Sequence, residues 1–178
     1  RDMLAGVRVG IAHGAFVGHV LADHHRGGQA DHVVALLDRA CPLDAGALQT
    51  SQSKYTFLLN DEAGIIDDLI AYWLGGDFFR LVTNASTRDK DLAWIQQHAA
   101  QFDVSVTERP ELALIAVQGP NARAAVLKLV SEQDRVAVEA LGKFTAADAR
   151  GLHGETLFVA RTGYTGEDGF EVVLPSDQ

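Results

Sequence analysis

The run Thr162 to Pro175, TGYTGEDGFEVVLP, brings together residue types that could hold a small ligand. Gly163, Gly166 and Gly169 recur at a spacing of three. Tyr164 sits inside the first pair, Glu167 and Asp168 inside the second, and Glu171 interrupts an otherwise apolar, strand-like run. A hairpin loop needs one or two glycines for positive φ. A third implies that the backbone comes close to another surface. Such a hairpin would carry Tyr164 back toward Glu171, an aromatic face beside a carboxylate. That pair suits a flat heterocycle with adjacent N–H donors, such as the amidine-like edge of a pterin, because the carboxylate accepts two charge-assisted hydrogen bonds from it.

Other groupings carry less. TNASTRDKDLAWI joins a strand end, Asn84, to the start of a helix, where backbone N–H groups favour anions. Capping accounts for Ser86 and Asp89 but leaves the polar Asn84 unexplained. In IIDDL, Asp67 and Asp68 fall on opposite faces of a strand, so they are not expected to act as a pair. One would face solvent or a loop, and the other would need hydrogen-bond donors. Five of the seven histidines lie between His13 and His32, near Asp23 and Asp31. Imidazole with carboxylate suits zinc or iron, but the spacings match no ligand set, and no metal is expected. Cys41, the single cysteine, stands in RACPLDAG with no adjacent histidine and is not expected to be a nucleophile.

The elements that must position these residues are legible from Tyr55 onward. YTFLLN, IIDDLIAY and FFRLVTN read as three strands joined by turns at Asp61–Gly64 and Gly75–Gly76. A helix capped by Ser86 follows, with Leu92, Ile95, Ala99 and Phe102 at helical spacing. VSVT and LALIAVQ are strands, and GPNARAAVLKLV is a helix with Pro120 in its first turn. Residues 131–154 read as mixed helix and loop, and ETLFVAR and FEVVLP as the last strands. Upstream, QADHVVALLDRA is an amphipathic helix with Val33, Leu36, Leu37 and Ala40 on one face. The glycine- and histidine-rich stretch before it shows no firm period. Strand groups alternating with helices predict an α+β protein with a mostly antiparallel sheet. The expected division is a partial N-terminal lobe over residues 1–50 and a central domain over 51–178.

Composition narrows the classes. The 178 residues are 47% hydrophobic, with fifteen basic and twenty-four acidic residues and a net charge of −9. That balance opposes general nucleic-acid binding, which needs a basic face. No apolar run approaches the roughly 20 residues of a membrane helix. A lone cysteine fits a reducing compartment.

Four blocks, LLNDEAGIIDDLI, NASTRDKDLAWI, LALIAVQGPNA and TGYTGEDGFEVVLP, occur here in the order and spacing found in the aminomethyltransferases, the T component of the glycine cleavage system. The resemblance runs from about Leu43 to Pro175. It implies a three-domain fold around a central tetrahydrofolate, represented here without its final domain and truncated at both ends. It implies that Glu171 grips the pterin with Tyr164 close beside it, and that Asn84 and Tyr55 line the folate pocket. Asp44, in PLDAGAL, sits where the family carries its catalytic aspartate. The segment GIAHGAFVGHV departs from the family pattern D-V-S-H-M.

The implied reaction moves a methylene unit from an aminomethyl-lipoyl arm of the H component to tetrahydrofolate and releases ammonia. Those two are the implied partner and cofactor, in the bacterial cytoplasm or the mitochondrial matrix. The resemblance also places an arginine-bearing segment in the final domain, so the chain alone is expected to be catalytically silent. Two alternatives belong to the same wider family: a non-enzymatic folate-binding protein, and the folate domain of a sarcosine or dimethylglycine dehydrogenase.

Overall fold

A computed structural model describes residues 8–12, 17–22, 30–163 and 167–177. Among them, all strand pairings are antiparallel, and the strands form two five-stranded sheets. The chain divides into two compact units, Gly14–Pro110 and a second built from Arg1–His13 with Glu111–Gln178. The expected boundary at residue 50 falls inside the first of these units. The physical reason is the helix α1 (Ala30–Ala40), which packs against the strands β2 (Val17–Ala22) and β5 (Phe78–Thr83) instead of forming a lobe of its own.

In the first unit the sheet order is β3 (Ser53–Leu59), β4 (Ile65–Trp73), β5, β2 and β6 (Val104–Glu108). Strand β2 is inserted between β5 and β6, so the glycine- and histidine-rich segment contributes a strand that its composition hid. One sheet face carries Leu58, Leu69, Ala71, Phe79 and Leu81 into a core with Val33, Leu36, Leu37 and Ala40 of α1. Helix α2 (Arg88–Ala99) adds Ile95 and Ala99. Each valine, leucine, isoleucine or phenylalanine among them contributes about 1.5–3 kcal/mol on full burial. The helix expected to be capped by Ser86 instead begins after a short 3₁₀ turn, Ala85–Thr87, with Thr87 at the N-cap and no side-chain capping bond. The β3–β4 turn closes through Asn60, whose Oδ1 accepts from Glu62 N at 3.1 Å and Gly64 N at 2.7 Å. Beside it the β3–β4 register shifts between Leu58 and Leu59, leaving Ile66 as the extra residue of a bulge.

In the second unit the order is β1 (Arg8–Ala12), β7 (Leu112–Gln118), β10 (Gly169–Pro175), β9 (Thr156–Ala160) and β8 (Ala146–Arg150). Helices α3 (Ala122–Leu127) and α4 (Glu132–Glu139) cover one face, where Val117, Val159, Phe170 and Val172 meet Ala122, Val126, Val130 and Val138. Pro120 precedes the helix instead of opening it, and Asn121 is the N-cap. The stretch 131–154 resolves into α4, capped by Ser131, and the strand β8. No helix among the described residues is long and apolar enough to cross a membrane.

Candidate functional site

Strand β5 ends at Thr83, opposite Leu69, while β4 runs on beyond it to Ile65. One step beyond Thr83, Asn84 leaves the sheet and its side chain turns onto this overhanging part of β4. Its Nδ2 donates to Asp67 Oδ1 at 2.9 Å and to Asp68 Oδ1 at 3.1 Å. Alternation does put Asp67 and Asp68 on opposite faces, yet a single amide at the strand end reaches both. The two acids thus share a donor without facing each other. Asp68 also accepts from the Tyr55 hydroxyl, Oδ2 to OH 2.9 Å, along the diagonal between β3 and β4. Tyr55 is 46% exposed and meets Phe57 edge-on, with ring centroids 5.3 Å apart. The structure thus joins Tyr55 and Asn84 through Asp68. A cleft of about 400 Å³ opens directly after Asn84, lined by Ala85, Ser86, Thr87, Arg88, Asp89 and Lys90.

The electrostatics of this cluster are set by a third acid that the sequence reading passed over. Asp91 of α2 is fully buried and lies against Asp67. Burial and the hydrogen bond with Asp67 push its pKa up to about 7. Burial also pushes Asp67 up. The neighbouring Thr87 hydroxyl, the Asp68 N–H, Asn84 and Asp91 outweigh that effect and leave Asp67 below the usual carboxylate value. A signal for Asp91 was present: it stands four residues before Ile95 on the face that also buries His98 and Ala99, where an apolar residue belongs.

Asp44, the expected catalytic aspartate, is held by its own turn. It is exposed, caps the 3₁₀ turn Ala45–Ala47, and its Oδ1 accepts from Ala47 N at 3.2 Å. It makes no hydrogen bond with the Asp67–Asp68–Asn84 group among the described residues. Cys41 is buried, and burial, then the charge of Asp38, pushes its thiol up to about 12. It is no nucleophile at neutral pH. Among the described residues no three potential metal ligands converge. His13, His24 and His25 lie outside them.

The second unit holds Glu171 in the middle of its sheet. Phe170 and Val172 face the helices, so Glu171 points from the opposite face. It is 6% exposed, and its Oε2 accepts from the Thr162 hydroxyl at 2.5 Å. The strand registers set Gly10, Ala116, Glu171, Ala160 and Ala146 in one row across all five strands. A single carboxylate therefore stands among residues with almost no side-chain bulk. Two positions along β7 from Ala116, on the same face, Gln118 is also buried. Its Nε2 donates to Phe170 O at 3.4 Å, and its Oε1 meets no donor among the described residues. Tyr164 lies outside the described residues.

The glycines around the loop have separate duties. Gly163 has φ +64°, and a Cβ there would come within 2.6 Å of Glu167 O. A Cβ on Gly169 would meet Val117 O at 2.6 Å and Gln118 Oε1 at 2.5 Å, so this glycine permits the close approach of β10 to β7. Asp168 holds the loop base: Arg161 forks onto it with Nε–Oδ1 and NH2–Oδ2 both 2.9 Å, and NH1 donates to Leu141 O at 2.8 Å. The Arg161 hydrogen bonds hold the Asp168 carboxyl below the usual carboxylate range.

These features define an α+β protein of antiparallel sheets whose polar chemistry rests on carboxylates positioned by amide and hydroxyl donors. Residues 26–178 match the family described as GCVT N-terminal domain, and the chain belongs to that family. It is 58% identical over 128 residues to an aminomethyltransferase of Stenotrophomonas maltophilia strain R551-3, covering 72% of this chain and 35% of that protein. It is also 58% identical over 126 residues to an aminomethyltransferase of Xanthomonas oryzae pv. oryzae strain PXO99A, covering 71% and 34%. The chain thus spans about a third of the length of the curated relatives it matches. The crystal structure of glycine cleavage system aminomethyltransferase T from Bartonella henselae superposes with a TM-score of 0.76 at 32% identity, over 96% of this chain and 42% of that one. A heterotetrameric sarcosine oxidase from Corynebacterium sp. U-96 shares the fold, with a TM-score of 0.58 at 15% identity.

Proposed function

We propose that the chain is part of an aminomethyltransferase of the glycine cleavage system, moving a methylene unit from the aminomethyl-lipoyl H component to tetrahydrofolate with release of ammonia. The observation that carries this reading is the pair of carboxylates, Asp67 and Asp68, gathered on the Asn84 amide and joined to the exposed Tyr55 hydroxyl. A nitrogen leaving as ammonia gathers positive charge, and fixed carboxylates stabilise charge where it develops. We extend that electrostatic part to Asp67 and Asp68 beside Asp44, the expected catalytic aspartate, which caps its turn through one oxygen and keeps its charge. Tyr55 and Asn84 line the same site and hold the acids in place. High identity to aminomethyltransferases, against 15% to the sarcosine oxidase, favours the transferase over a dehydrogenase-type folate domain.

The residues of the second unit suit a folate. Tetrahydrofolate supplies the nucleophilic nitrogen that accepts the one-carbon unit. Glu171 would accept the N–H donors of the pterin edge, with the Thr162 hydroxyl holding one oxygen in place. Tyr164 would stand beside it. The buried acceptor Gln118 Oε1, which meets no donor among the described residues, and the bare Gly/Ala row agree with a flat, donor-bearing ligand on this face. The bacterial relatives support a cytoplasmic setting.

The test is a transfer assay with the full-length protein, aminomethylated H component and tetrahydrofolate, reading ammonia and methylene-tetrahydrofolate. Stoichiometric release is expected. Tight folate binding without release would favour the non-enzymatic alternative.

A further inference from the structure

Asp91 is 0% exposed, and neither of its carboxyl oxygens receives an N–H or O–H among the described residues; Asp67 Oδ2 is in the same position. The two side chains lie against each other. The remaining oxygen, Asp67 Oδ1, is already served by Asp68 N at 2.8 Å and Asn84 Nδ2 at 2.9 Å. The Thr87 hydroxyl beside both acids has one proton, and Asn84 O at 3.4 Å competes for it. Three buried carboxyl oxygens therefore share at most one hydroxyl proton, unless a carboxyl carries its own. Two ionised carboxylates in contact without a donor would be strongly unfavourable.

We propose that Asp91 is kept as a neutral carboxylic acid whose proton is donated to Asp67 Oδ2, making it a positioning residue for the Asp67–Asp68–Asn84 cluster. Because Asp67 holds the two backbone- and amide-derived donors that favour a charge, the proton resides on Asp91. The charged groups bearing on Asp91 are Asp67 from β4 and Lys90 from its own helix, whose Nζ is tied to Ile66 O at 2.5 Å. Asp38 of α1 accepts from Ala45 N at 2.8 Å, and Arg88 of α2 pairs with Glu108 of β6. The arrangement fixes Asp67 ionised and correctly turned below neutral pH. Ionisation of Asp91 near pH 7 would replace the donor with a third negative charge. The functional side of this inference rests on the cluster being the electrostatic site of the transfer. The protonation side does not.

Carboxyl ¹³C shifts of the full-length protein, followed from about pH 4 to about pH 9, read each acid directly. Asp91 is expected to titrate near 7 and Asp67 below the usual carboxylate range. In Asp91→Asn the step near 7 should vanish while Asp67 stays ionised, because the amide still donates. In Asp91→Leu the titration of Asp67 should rise by roughly one unit or more. Titration of Asp91 in the ordinary range, or an Asp67 titration unmoved by Asp91→Leu, would overturn the proposal; should the leucine variant not fold, the first measurement on wild type and Asp91→Asn still decides it. In the transfer assay Asp91→Asn should keep kcat within a few-fold and lose the pH dependence centred near 7. A loss in Asp91→Asn as deep as in Asp91→Leu would overturn the donor role. Wild-type protein with the expected titrations but no transfer would count against the proposed function alone.

Discussion

Asn84→Ala is the most informative perturbation of the carboxylate cluster. It deletes an amide that binds Asp67 Oδ1 at 2.9 Å and Asp68 Oδ1 at 3.1 Å, with a longer approach to Asp68 O at 3.5 Å. An NH₂ group has two protons, so two charge-assisted bonds are lost. Each is worth about 1.5–3 kcal/mol in a buried setting. Asn84, Asp67 and Asp68 are half-buried, and solvent screening reduces this by roughly half, to about 1.5–3 kcal/mol in total. The loss must depend on pH. Asp67 is held below its unfolded value, so its stabilisation is complete above about pH 4 and fades as pH falls through the folded pKa. Denaturant unfolding of the full-length protein at about pH 7 and about pH 3 should therefore give a large difference between wild type and variant at the first and a small one at the second. Asn84→Asp should cost at least about 1 kcal/mol more than the alanine change at pH 7, because it sets a third charge beside two others. That excess should shrink on acidification as one carboxyl takes up a proton. A loss from Asn84→Ala below about 0.5 kcal/mol, or one that stays constant from pH 7 to about pH 3, would refute the reasoning.

Glu171→Gln exchanges one acceptor for a donor and should weaken tetrahydrofolate binding to the full-length protein by about 1.5–3 kcal/mol, roughly tenfold to a hundredfold in Kd by calorimetry. Asp68→Asn should lower kcat by about a hundredfold or more while shifting folate affinity far less. Asp44→Asn keeps the turn cap but removes the charge, and should likewise lower kcat by about a hundredfold or more with folate affinity shifting far less. A kcat within a few-fold of wild type would leave Asp44 with the turn cap alone. Cys41, buried with its thiol pushed up to about 12, should resist alkylation in the native protein at pH 8 and react on unfolding.

Much of the fold could be read from periodicity because it follows from local rules. Alternation marked β3, β4, β7, β9 and β10, and the 3.6-residue repeat marked α1 and α2; these patterns are imposed by the side on which each chain segment must be buried. The segments missed were those with weak side-chain contrast. Strand β8 reads AADAR, and strands β1 and β2 lie among glycines and histidines, so only their pairing with β9, β7 and β5 identifies them. Glu171 stood out in the sequence because an acid in an apolar strand conflicts with its neighbours. Its row of Gly10, Ala116, Ala160 and Ala146 comes from four other strands and exists only once the registers are set.

The carboxylate cluster was harder to read for a physical reason. Strand alternation correctly separates Asp67 from Asp68, but a strand end is not bound by it: the turn after β5 lets Asn84 fold back and hold both acids. Asp91 is separated from Asp67 by a turn and a helix start, and its contact with Asp67 depends on α2 packing across that sheet end. Sequence alone could determine which residues were unusual for their element. Only tertiary structure decided which of them share hydrogen bonds, because donors and acceptors are matched by distances between elements that no local pattern encodes.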